Sequence, residues 1–170
     1  MRRTRKIVAR LLIAWAALAA LLMSGRVIWN RTASVPLGLW WRTDGPIERG
    51  DVARVPIRAF RATEWVPDVY WRKNAWGEDE PFLKRVAGLP GDLIEEGPFG
   101  LLKIDGEVVP NSAPLSTDRA GRALVAFPLP YRLAEDEAWL LSWSPRGFDS
   151  RYLGPASLTE LRRAVPILTW

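Results

Sequence analysis

Hydrophobic and polar positions divide the chain into one long apolar head and a remainder of short alternating runs. No residue from Leu11 to Met23 carries a charge, and Val27, Ile28 and Trp29 resume the apolar character after Ser24, Gly25 and Arg26. Counted from Ile7 to Trp29 the stretch has 23 residues and two arginines, Arg10 and Arg26, both near its ends. Such arginines can snorkel, and about 20 helical residues at ~1.5 Å each cross a ~30 Å hydrocarbon layer. The pattern therefore predicts a transmembrane helix over residues 7–29, with Trp29 as an interfacial anchor. Ala16, Ala17, Ala19 and Ala20 also offer the small residues of a cleavage site, so a removed secretory signal is the alternative.

Beyond residue 30 the apolar runs are short and broken by Pro, Gly and Asp. Asp51–Ile57, Phe82–Ala87, Leu101–Ile104, Glu107–Val109, Ala123–Phe127 and Ala138–Trp143 read as strands. Asp105-Gly106 between two of them is a two-residue hairpin turn. Ser157–Ala164 reads as the one helix, with Ser157 as N-cap and Glu160 three residues on as its capping-box partner. Residues 30–170 are thus expected to form one mainly β domain. Residues 58–80, polar and containing Trp65, Trp71 and Trp76, read as an insertion or flap. Glu78-Asp79-Glu80 and Glu95-Glu96 read as solvated charge runs rather than catalytic pairs. Trp40 and Trp41 suit core packing, a substrate groove or the membrane interface.

Charge sharpens the topology. The chain of 170 residues has a formal net charge of +5. Arg2, Arg3, Arg5, Lys6 and Arg10 carry that excess, leaving the rest balanced. A basic flank before an apolar segment stays in the cytoplasm, which puts 1–6 inside and the domain outside. A nucleic-acid-binding face has no support, because the folded part has no excess of cations.

Absent residue types narrow the chemistry further. With no His and no Cys, a His-based triad, a thiol nucleophile and a thiolate metal site are all excluded. Lysine remains as a base, since Arg does not deprotonate near neutral pH. There are four lysines: Lys6, Lys73, Lys84 and Lys103. Lys6 belongs to the flank, Lys73 to the polar insertion and Lys103 to the hairpin. Lys84 differs, because period-two alternation puts it on one strand face with Phe82 and Val86. Burial there lowers an ammonium toward the working pH; a snorkelling strand lysine is the plainer alternative. Ser34 lies just past the apolar segment, where Pro36 and Gly38 keep the chain out of helix. Such a segment can pair with a peptide by strand addition, or it is an ordinary loop serine.

Four blocks in order carry a resemblance: NRTASVPLGLWW at Asn30–Trp41, Arg49-Gly50-Asp51-Val52, LKRVAGLPGD at Leu83–Asp92, and FDSRYLGP at Phe148–Pro155. Together with the terminal Pro-Ile-Leu-Thr-Trp they resemble the membrane-anchored type I signal peptidases, above all the conjugative-transfer (TraF-type) pilin maturation peptidases. The resemblance spans about residues 7–170. It implies an antiparallel β-sheet catalytic domain preceded by one transmembrane helix, and a Ser/Lys dyad with Ser34 as nucleophile and neutral Lys84 as general base. It further implies an oxyanion site made of the Ser34 N–H and Thr32, with Asp149 and Arg151 as a bracing ion pair. Relatives carry Ser two residues before this Asp, on the lysine; here that residue is Gly147, so Ser144, Ser142 or a water is left to orient Lys84.

The expected protein is a single-pass serine endopeptidase of the bacterial inner membrane, its domain in the periplasm, using no cofactor or metal. Its expected substrate is an exported, membrane-borne precursor, above all a conjugative pilin, with a secretion apparatus as a further partner. A general leader peptidase and a catalytically idle membrane scaffold are the competing readings.

Overall fold

The structure is a computed structural model and describes residues 2–64, 68–70, 73, 77 and 79–170. Trp65, Trp71, Trp76 and Glu78 lie outside the described residues. In chain order the elements are α1 (Arg2–Met23), β1 (Val27–Asn30), β2 (Gly38–Arg42), β3 (Val52–Val55), β4 (Phe82–Gly88), β5 (Leu93–Glu96) and β6 (Leu102–Ile104). There follow β7 (Glu107–Val108), β8 (Tyr131–Arg132), β9 (Glu137–Leu141), α2 (Ser150–Leu153), β10 (Ala156–Ser157) and β11 (Arg162–Thr169). The domain is mainly β, as the alternating runs predict.

The helix ends earlier than the apolar pattern implies. Ser24 and Gly25 close α1, with Gly25 at φ 64°, and Val27–Trp29 enter β1 instead of continuing the helix. β1 pairs antiparallel with β2, bringing Trp29 opposite Leu39, so Trp29 is a strand residue. Among the described residues no helix is long and apolar enough to cross a membrane. Ile7, Leu11, Leu12, Ile13, Trp15 and Met23 are exposed along α1, and among the described side chains of α1 none joins the core clusters.

Among the described residues two antiparallel sheets make up the domain: seven strands in the order β1-β2-β11-β3-β4-β9-β10, and four in the order β7-β6-β5-β8. β9 shows why its run is continuously apolar. Ala138 and Leu140 enter one core cluster, with Val86 and Phe60, while Trp139 and Leu141 enter a second, with Ile94, Leu102 and Ile104 beneath the small sheet. Both faces of β9 are therefore covered, and each fully buried large apolar side chain contributes roughly 1.5–3 kcal/mol. Asp105 (φ 50°) and Gly106 (φ 85°) form the expected tight turn, setting Ile104 opposite Glu107.

Two sequence expectations are corrected. Ser157–Ala164 is not an α-helix: Leu158–Glu160 makes one 3₁₀ turn, Ser157 caps nothing with its side chain, and Arg162 begins β11. Leu161 is driven into the core there, which ends the turn. Pro166 suits this strand because pairing with β3 stops at Ala164 and the register with β2 shifts between Pro166 and Leu168. Ala123–Phe127 is not a strand either; only Ala123 bridges, to Thr117, in a loop drawn together by the Asp118 carboxylate on the Ala120 and Arg122 N–H groups.

Within 58–80, Ala59 and Phe60 pack into the main core, and Phe60 bridges to Ala156. Trp40 is buried, donating Nε1–H to the Pro36 carbonyl at 3.1 Å, so core packing accounts for it. Three carboxylates of the charge runs meet cations: Asp79 with Lys73 at 2.6 Å, Glu80 with Arg31 at 3.0 Å, and Glu95 with Lys103 at 3.5 Å.

Candidate active site

The loop 31–37 closes the β1–β2 hairpin, whose last pair is Asn30 opposite Gly38. Seven residues without a ladder leave many backbone groups to satisfy, and the buried Asn30 side chain gathers them. Its Nδ2 lies 2.9 Å from the Thr32 carbonyl, 3.0 Å from that of Val35 and 2.9 Å from that of Pro36. Its Oδ1 accepts from the Thr32 N–H at 3.2 Å and from the Thr32 hydroxyl at 3.1 Å. Val35 plugs the loop into a small core with Trp40, Val52, Leu83 and Ala164. The Ser34 carbonyl accepts from the Trp143 N–H at 2.8 Å. Gly38 closes the loop against β11: a Cβ there would lie 2.1 Å from the Leu168 carbonyl oxygen, at a φ of +138°. The result is a fixed loop presenting the half-buried Ser34 hydroxyl to a cleft of about 450 Å³.

Lys84 reaches the same place from the middle of β4, where it pairs with Ala53 of β3. The residue is 2% exposed. Its Nζ donates to Ser142 Oγ at 2.8 Å and to Ser34 Oγ at 3.2 Å, and stands 5.1 Å from the centre of the Phe82 ring. Burial lowers its pKa to about 8, against the Asp149 carboxylate, which raises it, and with the Arg151 guanidinium, which lowers it further. An amine at that value keeps a minor but usable neutral fraction near physiological pH, the form that a base toward a hydroxyl needs. The Thr32 hydroxyl lies 3.4 Å from Ser34 Oγ. Among the described residues no acceptor takes the Ser34 N–H.

Asp149 and Arg151 form a buried pair behind the lysine. Arg151 Nε donates to Asp149 Oδ1 and Arg151 Nη2 to Asp149 Oδ2, each at 2.8 Å. The guanidinium also reaches the carbonyls of Pro145 and Gly147, both at 2.8 Å, and of Ser144 and Ala113, both at 3.3 Å. Asp149 Oδ2 accepts the Ser142 N–H at 2.8 Å. Of the hydroxyls left to orient Lys84, the structure puts Ser142 on its Nζ and not Ser144. Ser144 Oγ instead accepts from the Arg146 N–H at 3.2 Å, and its carbonyl serves Arg151.

The blocks around Arg49 and Asp92 hold the frame. Arg49 Nη2 lies 2.7 Å from Asp92 Oδ2 and its Nη1 donates to the Ala87 carbonyl at 3.0 Å, fastening the end of β4. Asp51 Oδ1 accepts from Arg163 Nε at 3.0 Å and so ties β3 to β11. One cleft wall is a ring stack: Tyr70 on Phe148 (4.4 Å, 4°) and Phe148 on Tyr152 (5.3 Å, 7°), with Arg122 over Tyr70 at 5.1 Å. Sequence reasoning missed the part played by Asn30 and left Ser142 as one choice of three. The available signals were an Asn at a strand end before a Pro-containing loop, and a Ser closing the apolar run of β9.

Known proteins are similar to this chain over most of its length. The family described as "Signal peptidase, peptidase S26" matches residues 1–170. A plasmid transfer protein TraF of Escherichia coli is 32% identical over 96% of this chain and 91% of its own length. A conjugal transfer protein TraF of Agrobacterium tumefaciens is 33% identical over 88% of this chain and 87% of its own. A crystal structure of a signal peptidase I from Enterococcus faecalis overlaps 72% of this chain and 99% of its own, at 18% identity and a TM-score of 0.42.

Proposed function

The chain belongs to the signal peptidase family, peptidase S26, and from that premise we propose that it is a serine endopeptidase working through Ser34 and Lys84. The observation that carries the reading is the 3.2 Å contact between Lys84 Nζ and Ser34 Oγ, made by an amine that burial brings to about 8. Neutral Lys84 takes the Ser34 hydroxyl proton as Oγ attacks the scissile carbonyl. The oxyanion is met by the Ser34 N–H, which has no other acceptor among the described residues, and by the Thr32 hydroxyl. Protonated Lys84 then gives its proton to the leaving amine, and an ester remains on Ser34. Water, deprotonated by Lys84, releases the acyl product and restores the serine.

The substrate in this reading is an exported protein precursor, most specifically the pilin of a conjugative transfer system, cut after small residues. The support is the extent of similarity to proteins named for plasmid and conjugal transfer. The N-terminal segment tethers the enzyme at the bacterial inner membrane with the domain on the periplasmic side. Its support is the basic flank and the uncovered apolar side chains of α1. A tether shared with a membrane-borne precursor raises the effective concentration of the cleavage site.

Processing of a pilin precursor by the full chain in membranes tests the proposal. Ser34→Ala and Lys84→Arg are each expected to lower cleavage by at least about 10³-fold. Arg keeps the charge and cannot supply the neutral base. Retained processing by either variant overturns the assignment. An ordinary secretory precursor in parallel separates the two specificities: equal cleavage of both contradicts the conjugative one.

A further inference from the structure

We infer that Ser142 is the positioning residue of the Lys84 base, and that positions 142 and 147 offer a single hydroxyl site that only one of them can fill. The inference rests on the proposed Ser34/Lys84 chemistry. A neutral amine has two N–H groups and one lone pair. For Lys84 to take a proton from Ser34, the lone pair must face Ser34 Oγ, so an N–H must find its acceptor elsewhere. Ser142 Oγ, 2.8 Å from Nζ, is that acceptor in a site where the lysine is buried from solvent. A buried N–H without an acceptor is unfavourable, so the contact sets which way the amine turns.

Ser142 is itself held by its backbone. Its N–H is fixed on Asp149 Oδ2 at 2.8 Å, and Asp149 is locked by the two-pronged contact with Arg151. The ion pair therefore reaches Lys84 through Ser142 as well as through space.

Gly147 completes the arrangement by staying empty. Its φ lies outside the left-handed region, so conformational freedom is not what requires glycine there. Space is. A Cβ on residue 147 would sit 2.0 Å from Ser142 Oγ and 2.1 Å from Ser142 Cβ, with Asp149 Oδ2 next at 3.2 Å. A side chain on residue 147 points at the place the Ser142 side chain already fills, beside Lys84 Nζ. Serine at 142 thus demands glycine at 147. Conversely, glycine at 142 leaves room for serine at 147 to deliver the hydroxyl from the opposite strand of the turn.

Steady-state cleavage of a precursor peptide by the full chain tests this with four variants. Ser142→Ala removes one oxygen and leaves the Asp149 contact intact. It should lower kcat about 10²-fold, the scale of a misaligned reacting group. KM should stay within about twofold, because Ser142 is not among the residues lining the cleft. The alkaline-rising limb of kcat/KM should move to lower pH, since the ammonium loses an acceptor. Exchange of the pair, Ser142→Gly with Gly147→Ser, should bring kcat to within about tenfold of the parent. Ser142→Gly with Gly147→Ala fills the same space without the hydroxyl and should stay near the Ser142→Ala level. Lys84→Arg is the control on the underlying chemistry. Parental kcat in Ser142→Ala, or an exchanged pair no better than its alanine counterpart, overturns the inference while an inactive Lys84→Arg leaves the dyad standing. Should the exchanged pair fail to fold, the Ser142→Ala kcat and pH limb decide by themselves. An active Lys84→Arg instead overturns the dyad.

Discussion

Replacing Lys84 by methionine should stabilise the protein most at neutral pH and progressively less as pH rises. In the folded state burial brings the amine to about 8, whereas in the unfolded chain it has its ordinary value of 10.5. Between those values the unfolded chain binds more protons than the native one, so wild-type stability climbs with pH across that window and is flat on either side. At about 1.4 kcal/mol for each pH unit separating the two states, the full climb is about 3.5 kcal/mol. Methionine has similar length and no titration, so the gap between Lys84→Met and wild type isolates this group. Urea unfolding of the full chain in detergent, followed by tryptophan fluorescence at intervals from pH 6.5 to 11, reads it directly. The stability gap should shrink by about 3 kcal/mol from pH 7 to pH 11. A gap that stays constant, or widens with pH, would refute the reasoning, because it would mean that the buried lysine keeps its charge as easily as a free one.

The same titration governs turnover: kcat/KM should rise with pH to a plateau, with its limb near 8, measured on a precursor peptide. Asn30→Ala strips five contacts from the loop 31–37; cleavage should fall about 10²-fold through misplacement of Ser34, and hydrogen exchange of the 32–35 amides should accelerate. Asp149→Asn leaves Arg151 buried without its charge partner and should cost about 3–5 kcal/mol in urea unfolding. Gly38→Ala drives a methyl to 2.1 Å from the Leu168 carbonyl and should lower the thermal midpoint by several degrees, at roughly 2–4 °C for each kcal/mol in a chain of this size.

Strands with one dominant signal were legible in the sequence: β4 by alternation, β9 by its apolar run, and the β6–β7 hairpin by Asp105-Gly106. β11 was not, because Pro166 argues against an interior strand until one sees that pairing with β3 ends at Ala164. Ser157 and Glu160 also imitate a capping box, although a single 3₁₀ turn suffices to bury Leu161. Lys84 could be singled out because a lone cation on an apolar strand face is a local property. Its partnership with Ser142 could not, since the deciding fact is how closely the backbone at Gly147 approaches Ser142 across the turn. The sequence places the end of α1 too far along for a related reason: Val27, Ile28 and Trp29 are as apolar as a helix end requires, but their backbone groups pair with β2. Arg49 and Asp92 stand 43 residues apart, and nothing local says that they meet.

Ser34 is the atom on which everything converges, and an acid-quenched acyl intermediate reports on it most directly. Precursor peptide is mixed with the full chain, the reaction is stopped in acid within one turnover, and the covalent adduct is located by mass spectrometry of the digested enzyme. The prediction is an acyl group on Ser34 with the mass of the amino-terminal product less one water, absent in Ser34→Ala and in Lys84→Arg. Efficient cleavage with the adduct on another residue, or an adduct that persists when Lys84 is replaced by arginine, would contradict it.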